Sequence, residues 1–326
     1  MRIFVCEFIT GGGVQDGELP ASLVNEGDMM LSAILRDLLD AGYTDLVCTR
    51  DKRLEVPVHA IEVIAADRDI WKQWERLICE SEAVCVIAPE SNDILFRFTK
   101  LVEENDRTLL GCSSDIVRLA GSKNACCNWL LENGIPSSPV YTPSAILPDC
   151  KHGWVVKPDD GAGGDDVIYL DSKRKLEQFL ENRDTSKLVI QEYIPGTPAS
   201  ISIAFDHERV IVLAFNRQYF EFSGDGRGKL TGILVNGTVD QKTDLENIAR
   251  RVGNDLPGIC GYVGIDLVLS DSGPVIIEIN PRLTTTYAGL RQAMGRNPAD
   301  FILGIAVDGK LPCDTDFSYH PVRINL

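Results

Sequence analysis

Histidine is scarce in this chain, with four in 326 residues, and none stands in a catalytic or metal-binding pattern. Histidine general-base chemistry and histidine-ligated zinc are therefore not expected. The ten cysteines form no CxxC pair and no zinc spacing, so free, buried thiols are expected rather than a disulfide framework. Adjacent Cys126 and Cys127 read as packing residues on a helix. No apolar stretch approaches the ~18 residues of a membrane span. The opening MRIFVCEFIT carries acidic Glu7 and lacks the basic start and long apolar core of a signal peptide. A cytoplasmic location is expected. Positive charge is also short: 32 Lys and Arg against 48 Asp and Glu leave a net charge of -16. That argues against nucleic acid and anionic membranes as partners, although a local basic pocket remains compatible with it. No GK[ST] loop is present, and Gly11-Gly12-Gly13 fails the GxGxxG spacing. An NAD-dependent oxidoreductase, which would rest on residues 1–40, is accordingly set aside.

What is there is an alternation of strand and helix. Strands are expected at 2–8, 45–49, 83–88 and 108–111. Amphipathic helices are expected at 26–41, closed by Gly42, and at 69–82 and 93–105. That rhythm specifies a parallel sheet with covering helices. Beyond residue 115 the pattern changes. A single helix is expected over 114–133, then strands at 154–157 and 166–170 around a glycine loop, a helix at 172–182 and a strand at 188–193. A hairpin of 200–206 with 209–215, a helix at 242–252 and a last hairpin follow. No repeat or low-complexity segment occurs. The fold class is α/β (α+β), with expected divisions at 1–115, 116–186 and 187–326.

The last hairpin carries the sharpest signal. Asp266 in GIDLVL and Glu278 and Asn280 in VIIEIN flank the turn cluster Ser270–Pro274. Folded about Ser272, the hairpin sets Asp266 opposite Glu278. Asn280 shares the Glu278 face because strand side chains alternate. Opposed like charges destabilise a hairpin, and the flanking isoleucines imply shelter, where unpaired charge is costly. Three converging oxygen donors make sense around a hard cation, Mg²⁺ or Mn²⁺ rather than zinc. The alternative is two independent surface acids on an edge hairpin.

Three weaker signals precede it. Lys157 ends a strand before a loop holding Gly161, Gly163 and Gly164, where backbone N–H groups could approach phosphate. The same loop carries Asp159, Asp160, Asp165 and Asp166, which suits phosphate only if those side chains turn away. Lys123, after Gly121-Ser122, could add positive charge, or be a solvated lysine. The strand Gln191-Glu192-Tyr193-Ile194 leaves its partner before Pro195, which frees backbone for a base edge or simply ends a strand.

In this order the lysine, the lysine with its glycine loop, the Q-E-Y-I strand end and the D…E-x-N hairpin resemble the ATP-grasp superfamily over roughly residues 115–295. EINPRLTTTYAGLR and CEFITGGG further resemble the tyramine–glutamate ligases of methanofuran biosynthesis and their methylotroph relatives. The resemblance implies an ATP-dependent carboxylate–amine ligase working through an acyl-phosphate. It implies that Lys123 and Lys157 hold the α- and β-phosphates and that Gly161, Gly163 and Gly164 close over them. Glu192 and Ile194 would bind adenine through the backbone, with Gln191 and Tyr193 beside them. Asp266, Glu278 and Asn280 would hold Mg²⁺ or Mn²⁺, and Arg282 would neutralise the transferring phosphoryl group. The position that often carries the ribose acid is Pro198 here, so Ser200 is the ribose candidate. An arginine common before the first metal aspartate is missing, with Arg217 and Arg291 as candidates to replace it. Substrate candidates are Glu7 for an ammonium, Arg217 for a carboxylate, and Thr284, Thr285, Thr286 and Tyr287 for further contacts. Small-molecule carboxylate and amine partners, and a homodimer of the kind common in the superfamily, complete the expectation. A ligase for another coenzyme, of the methanopterin type, and a catalytically silent nucleotide binder are the alternatives.

Overall fold

The apolar runs Ile3–Glu7 (β1), Leu46–Arg50 (β2) and Ala83–Ile87 (β4) are buried at every position. Strands read this way when both sheet faces are covered. The computed structural model describes residues 1–161, 166–181, 183–206, 208–256 and 258–326. In it these strands join Glu62–Ala65 (β3) and Thr108–Leu109 (β5) in a parallel sheet of order β3-β2-β1-β4-β5. Helices Ile70–Glu80 (α2) and Ile94–Glu104 (α3) cover one face, packing Trp74, Leu77 and Phe98 near Phe4 and Val84. Ala21–Asp40 (α1) covers the other with Leu31, Ile34 and Leu35 near Ile3 and Val5.

The helix expected over 114–133 is two helices, Ser114–Ala120 (α4) and Lys123–Glu132 (α5). Gly121 ends the first, and the Ser122 hydroxyl caps the second by accepting from the Ala125 N–H at 3.1 Å. This break sets Lys123 at a helix start. A small antiparallel sheet follows, built from Val140–Tyr141 (β6), Trp154–Pro158 (β7), Ile168–Leu170 (β8) and Leu188–Glu192 (β9) in the order β6-β9-β7-β8. Lys173–Leu180 (α6) lies in this region, and Trp154, Val156, Leu176 and Ile190 form its own small core.

The third sheet is antiparallel, of order β14-β13-β10-β11-β12-β15. Its strands are Thr197–Phe205 (β10), Val210–Phe222 (β11), Gly228–Val235 (β12), Gly261–Ser270 (β13), Gly273–Asn280 (β14) and Val322–Asn325 (β15). Lys242–Asp255 (α7), Tyr287–Met294 (α8) and Ala299–Asp308 (α9) pack around it. The β11–β12 ribbon is longer than the hairpin expected at 200–215. Its tip reaches the small sheet, with Tyr169 N–H donating to Gly226 C=O at 2.8 Å and Gly228 N–H to Val167 C=O at 2.7 Å. Six of the ten cysteines are buried, so free thiols match the expectation and burial only partly so. Among the described residues no helix is long and apolar enough to cross a membrane.

Candidate active site

The hairpin β13–β14 turns at Asp271-Ser272, since Ser270 pairs with Gly273. The centre therefore lies half a residue before the expected Ser272. A bulge between Asp266 and Leu267 then absorbs Ile277, because Leu267 pairs with Ile276 and Asp266 with Glu278. The two offsets cancel, and Asp266 does face Glu278. The bulge has a use: it leaves Ile276 in the core, 0% exposed, while turning Glu278 to the opposite face. Ser200 pairs with both Asp266 and Asn216, so Asn216, Ser200, Asp266 and Glu278 form one row across four strands.

Ser200, Asp266 and Glu278 of that row line a cleft of about 820 Å³. Lys123 and Lys157 reach it from α5 and β7, and both are buried. Lys123 Nζ lies 3.3 Å from Glu278 and also donates to the Gly161 carbonyl. Burial disfavours charge on Glu278, but the two lysines outweigh it and hold the carboxyl below its usual range. Asp266 goes the other way, raised by burial and then by the Glu278 charge, against hydrogen bonds from Asn280 at 3.0 Å and Gln218 at 2.7 Å. Burial also lowers Lys157. An opposed carboxylate pair with one member forced up is a site that a divalent cation relieves. Asn280 donates its amide nitrogen to Asp266, which leaves its amide oxygen for such an ion. Two carboxylates and an amide oxygen fit a hard cation sharing its remaining positions with another ligand. Among the described residues no three His, Cys, Asp or Glu cluster into a self-sufficient metal cage.

The glycine loop meets its condition in part. Asp159 turns to the start of α5, accepting from Ser122 Oγ at 2.7 Å and Asn124 N–H at 2.8 Å, a favourable place for a carboxylate. Asp160 accepts from Asn92 N–H at 2.8 Å. Gly161 and Asp166 line the cleft, while Gly163, Gly164 and Asp165 lie outside the described residues. At the strand end, Gln191, Glu192, Tyr193 and Ile194 all line the cleft. The Tyr193 N–H is spent on Gly153 C=O at 2.9 Å, and among the described residues no backbone carbonyl accepts from Ile194 N–H. Ser200, with Asn216 3.3 Å from its hydroxyl, lines the cleft as well.

Arg282 enters the cleft in a two-pronged ion pair with Glu90, Nε and Nη2 each 2.9 Å from a carboxylate oxygen. The lining also holds Glu7, Glu26, Thr284, Thr285 and Thr286, with Phe8, Ile9, Leu23 and Met30. Glu7 accepts from Ile9 N–H at 3.2 Å and Thr10 N–H at 2.6 Å, and Gly27 of α1 is packed so closely that a Cβ there would lie 2.6 Å from its oxygen. Burial raises this carboxyl to about 7 against those hydrogen bonds. Thr285 donates to Glu26 at 2.7 Å.

Three candidates are not brought to the cleft. Arg217 pairs with Ala199, one step out of the Ser200 row, so alternation sends its side chain to the other face, where it is exposed. Arg291 is bound by Asp37 at 3.1 Å and by Asp40. Tyr287 is fully buried in α8 beside Tyr262. Sequence reasoning missed Glu26, Glu90 and Gln218. Strand parity would have found Gln218, two residues from Asn216; Glu90 has no local signal, its partner being 192 residues away.

A family profile described as an ATP-grasp domain matches residues 120–286, and one described as a pre ATP-grasp 3 domain matches 44–117. The chain belongs to the ATP-grasp family. Tyramine–L-glutamate ligase of Methanocaldococcus jannaschii is 32% identical over 298 residues, covering 89% of this chain and 84% of that protein. The enzyme of the same name from Methanocaldococcus fervens is 30% identical over 294 residues, 89% of each. N5-carboxyaminoimidazole synthetase of Staphylococcus aureus, solved with ADP, shares the fold at a TM-score of 0.73 and 15% identity, over 99% of this chain and 81% of that one. The class expected from sequence, an ATP-dependent C–N ligase, stands for this ATP-grasp protein.

Proposed function

We propose that this ATP-grasp ligase joins the γ-carboxylate of glutamate to tyramine or a related aromatic amine, in making a one-carbon carrier of the methanofuran type. The observation that carries the reading is the cleft itself. It is lined by Lys123, Lys157 and Arg282 with the Asp266–Glu278 pair, and also by Glu7 and Glu26 with apolar Phe8, Leu23 and Met30. The likeness to tyramine–L-glutamate ligases over 89% of the chain supports the choice of substrates.

A carboxylate is a poor acyl donor because oxide is a poor leaving group. Attack of its oxygen on the γ-phosphorus of ATP releases ADP and gives an acyl-phosphate. The amine, bound as an ammonium, loses one proton to water; its neutral nitrogen then attacks the carbonyl carbon, phosphate departs, and a second proton leaves the nitrogen. In this reading Lys123 and Lys157 bind the phosphates as point charges. Ile194 N–H and the carbonyl of Glu192 hold the adenine edge, Gln191 and Tyr193 flank it, and Ser200 stands near the ribose. Arg282 offers donors to the phosphoryl group in flight. Asp266, Glu278 and Asn280 would hold Mg²⁺, which when bound neutralises phosphate charge. Glu7 and Glu26 receive the ammonium, and Phe8, Leu23 and Met30 receive the ring. The loop at Gly161 excludes water from the intermediate. No covalent protein nucleophile is needed.

The test is ADP release from the purified protein with ATP, Mg²⁺ and glutamate, across amines headed by tyramine and tyrosine, with mass spectrometry of the product. Release that depends on one amine, with the matching amide mass, supports the reading. Release with a different carboxylate, or none beside tight Mg-ATP binding, overturns the substrate assignment and favours another coenzyme ligase or a silent binder.

A further inference from the structure

Arg282 is 11% exposed in its side chain and Glu90 5%, and they meet across 192 residues of sequence. A guanidinium has five N–H donors. Glu90 takes two of them, through Nε and Nη2, and Arg282 Nη1 donates to the Leu283 carbonyl at 3.2 Å. Two donors are left, on a group that lines the cleft beside Asp266 and Glu278. The carboxylate thus fixes the plane of the arginine and the direction of its free donors. It also offsets part of the positive charge, which three cations would otherwise concentrate at the phosphate end.

The turn that follows Glu90 is held at several points. Leu95 N–H donates to the Pro89 carbonyl at 3.0 Å. Two consecutive residues, Asn92 and Asp93, have φ of 54° and 58°, values that Asn and Asp tolerate better than most. Asn92 N–H then donates to Asp160 beside the glycine loop, and Lys187 Nζ donates to Asn92 Oδ1 at 2.9 Å. One turn of the parallel-sheet region therefore touches both the arginine on the metal-hairpin side and the loop on the lysine side.

We infer that Glu90 is a positioning residue for phosphoryl transfer: it presets the Arg282 guanidinium, and the turn that carries it ties that setting to Asp160, after the strand that holds Lys157. The inference rests on the ligase reading only for the role of Arg282 and is separable from the choice of amine.

The experiment is a double-mutant cycle on the full chain with E90Q, R282A and the pair. The first readout needs no amine: the ratio of affinities for Mg²⁺ with a non-hydrolysable ATP analogue and with Mg-ADP. E90Q alone is expected to change this ratio about fivefold, and by less than about twofold in the R282A background, since residues acting through one another are not additive. The second readout is ADP release with the amine that supports turnover. There E90Q is expected to lower kcat about 10²-fold with little change in the KM for ATP, the pattern of misplacement rather than lost binding. E90D, which keeps the charge, should recover part of kcat, and it carries the cycle if E90Q proves unstable. Equal effects of E90Q with and without Arg282, or wild-type ratio and kcat in a folded E90Q protein, overturn the inference. Failure of every amine with an intact binding cycle overturns the substrate reading and leaves Glu90 in its role.

Discussion

Glu7 and Glu278 are the same residue type in the same cleft, one 3% exposed and the other with a side chain 17% exposed, yet their acidities part in opposite directions. Burial raises Glu7 to about 7, outweighing the N–H groups that donate to it. Burial works against Glu278 too, but Lys123 and Lys157 reverse it and keep the carboxylate charged. Desolvation is thus common to both, and the neighbouring charge decides the sign. Under the proposed function, the group around Glu278 stays anionic and draws a cation, and Glu7 receives a positive charge from the substrate.

The largest effect should come from removing the charge at Glu278. Glu278→Gln is expected to reduce ADP release by about 10³-fold or more while leaving the fold intact, as circular dichroism and a melting curve would show. Retained turnover would sink the metal assignment and with it the contrast. Lys157→Ala should follow at about 10²-fold, through weaker nucleotide binding or slower phosphoryl transfer, read by stopped-flow and by titration with Mg-ATP. Wild-type nucleotide kinetics would mean that the buried lysine serves only to hold Glu278.

The Glu7 half of the comparison is sharpened by pH. The folded Glu7 carboxyl, at about 7, lies above its ordinary value of 4.5. The folded state therefore holds this proton more tightly than the unfolded chain does. The stability it contributes is present below about 4.5 and is lost as pH rises through about 7, a change of about 3 kcal/mol at most. Asp37, raised to about 6 chiefly by burial, acts in the same direction, so the difference between proteins is the useful quantity. Glu7→Gln mimics the protonated form and should flatten this part of the stability–pH curve in urea titrations between pH 4.5 and 8. In turnover it should raise the KM for the amine about tenfold, by removing a charged partner of the ammonium. A curve that matches wild type would mean that Glu7 is not the group being desolvated.

How far the sequence carried this comparison differs between the two carboxylates. Asp266 opposite Glu278 could be read from strand alternation and a turn cluster, both local. The hairpin centre could not, because the bulge that absorbs Ile277 is chosen by what packs beneath it, Ile276 in the core. The parallel strands announced themselves as unbroken apolar runs, and their helices as amphipathic stripes. The break at Gly121-Ser122 hid inside a helical pattern, although glycine before a capping serine was visible there. Glu90 and Glu26 were illegible for a different reason: each gains meaning only from a residue far away in sequence, Arg282 in one case and Thr285 in the other. Glu7 was noticed beside its glycines, but nothing local showed that Gly27 of α1 would pack against it.

The smallest expected effect separates two adjacent residues of β11. From sequence, Arg217 is a candidate to pair with a substrate carboxylate. The register decides otherwise: Ser200 pairs with Asn216, so Gln218 returns to the Asp266 face while Arg217 points away. Gln218 donates to Asp266 at 2.7 Å and lines the cleft, whereas Arg217 is exposed and does neither. Gln218→Ala should lower kcat about tenfold, because it removes one of the two amide donors that steady an aspartate already pressed by a neighbouring charge. Arg217→Ala should leave kcat and the KM for every substrate within about twofold and stability within about 0.5 kcal/mol, as for an ordinary surface change. Steady-state kinetics of the two variants side by side make the check. A reversed order, with the arginine costing more, would mean that the carboxylate substrate is reached from the outer face of the sheet, and the cleft as described would not be where it binds.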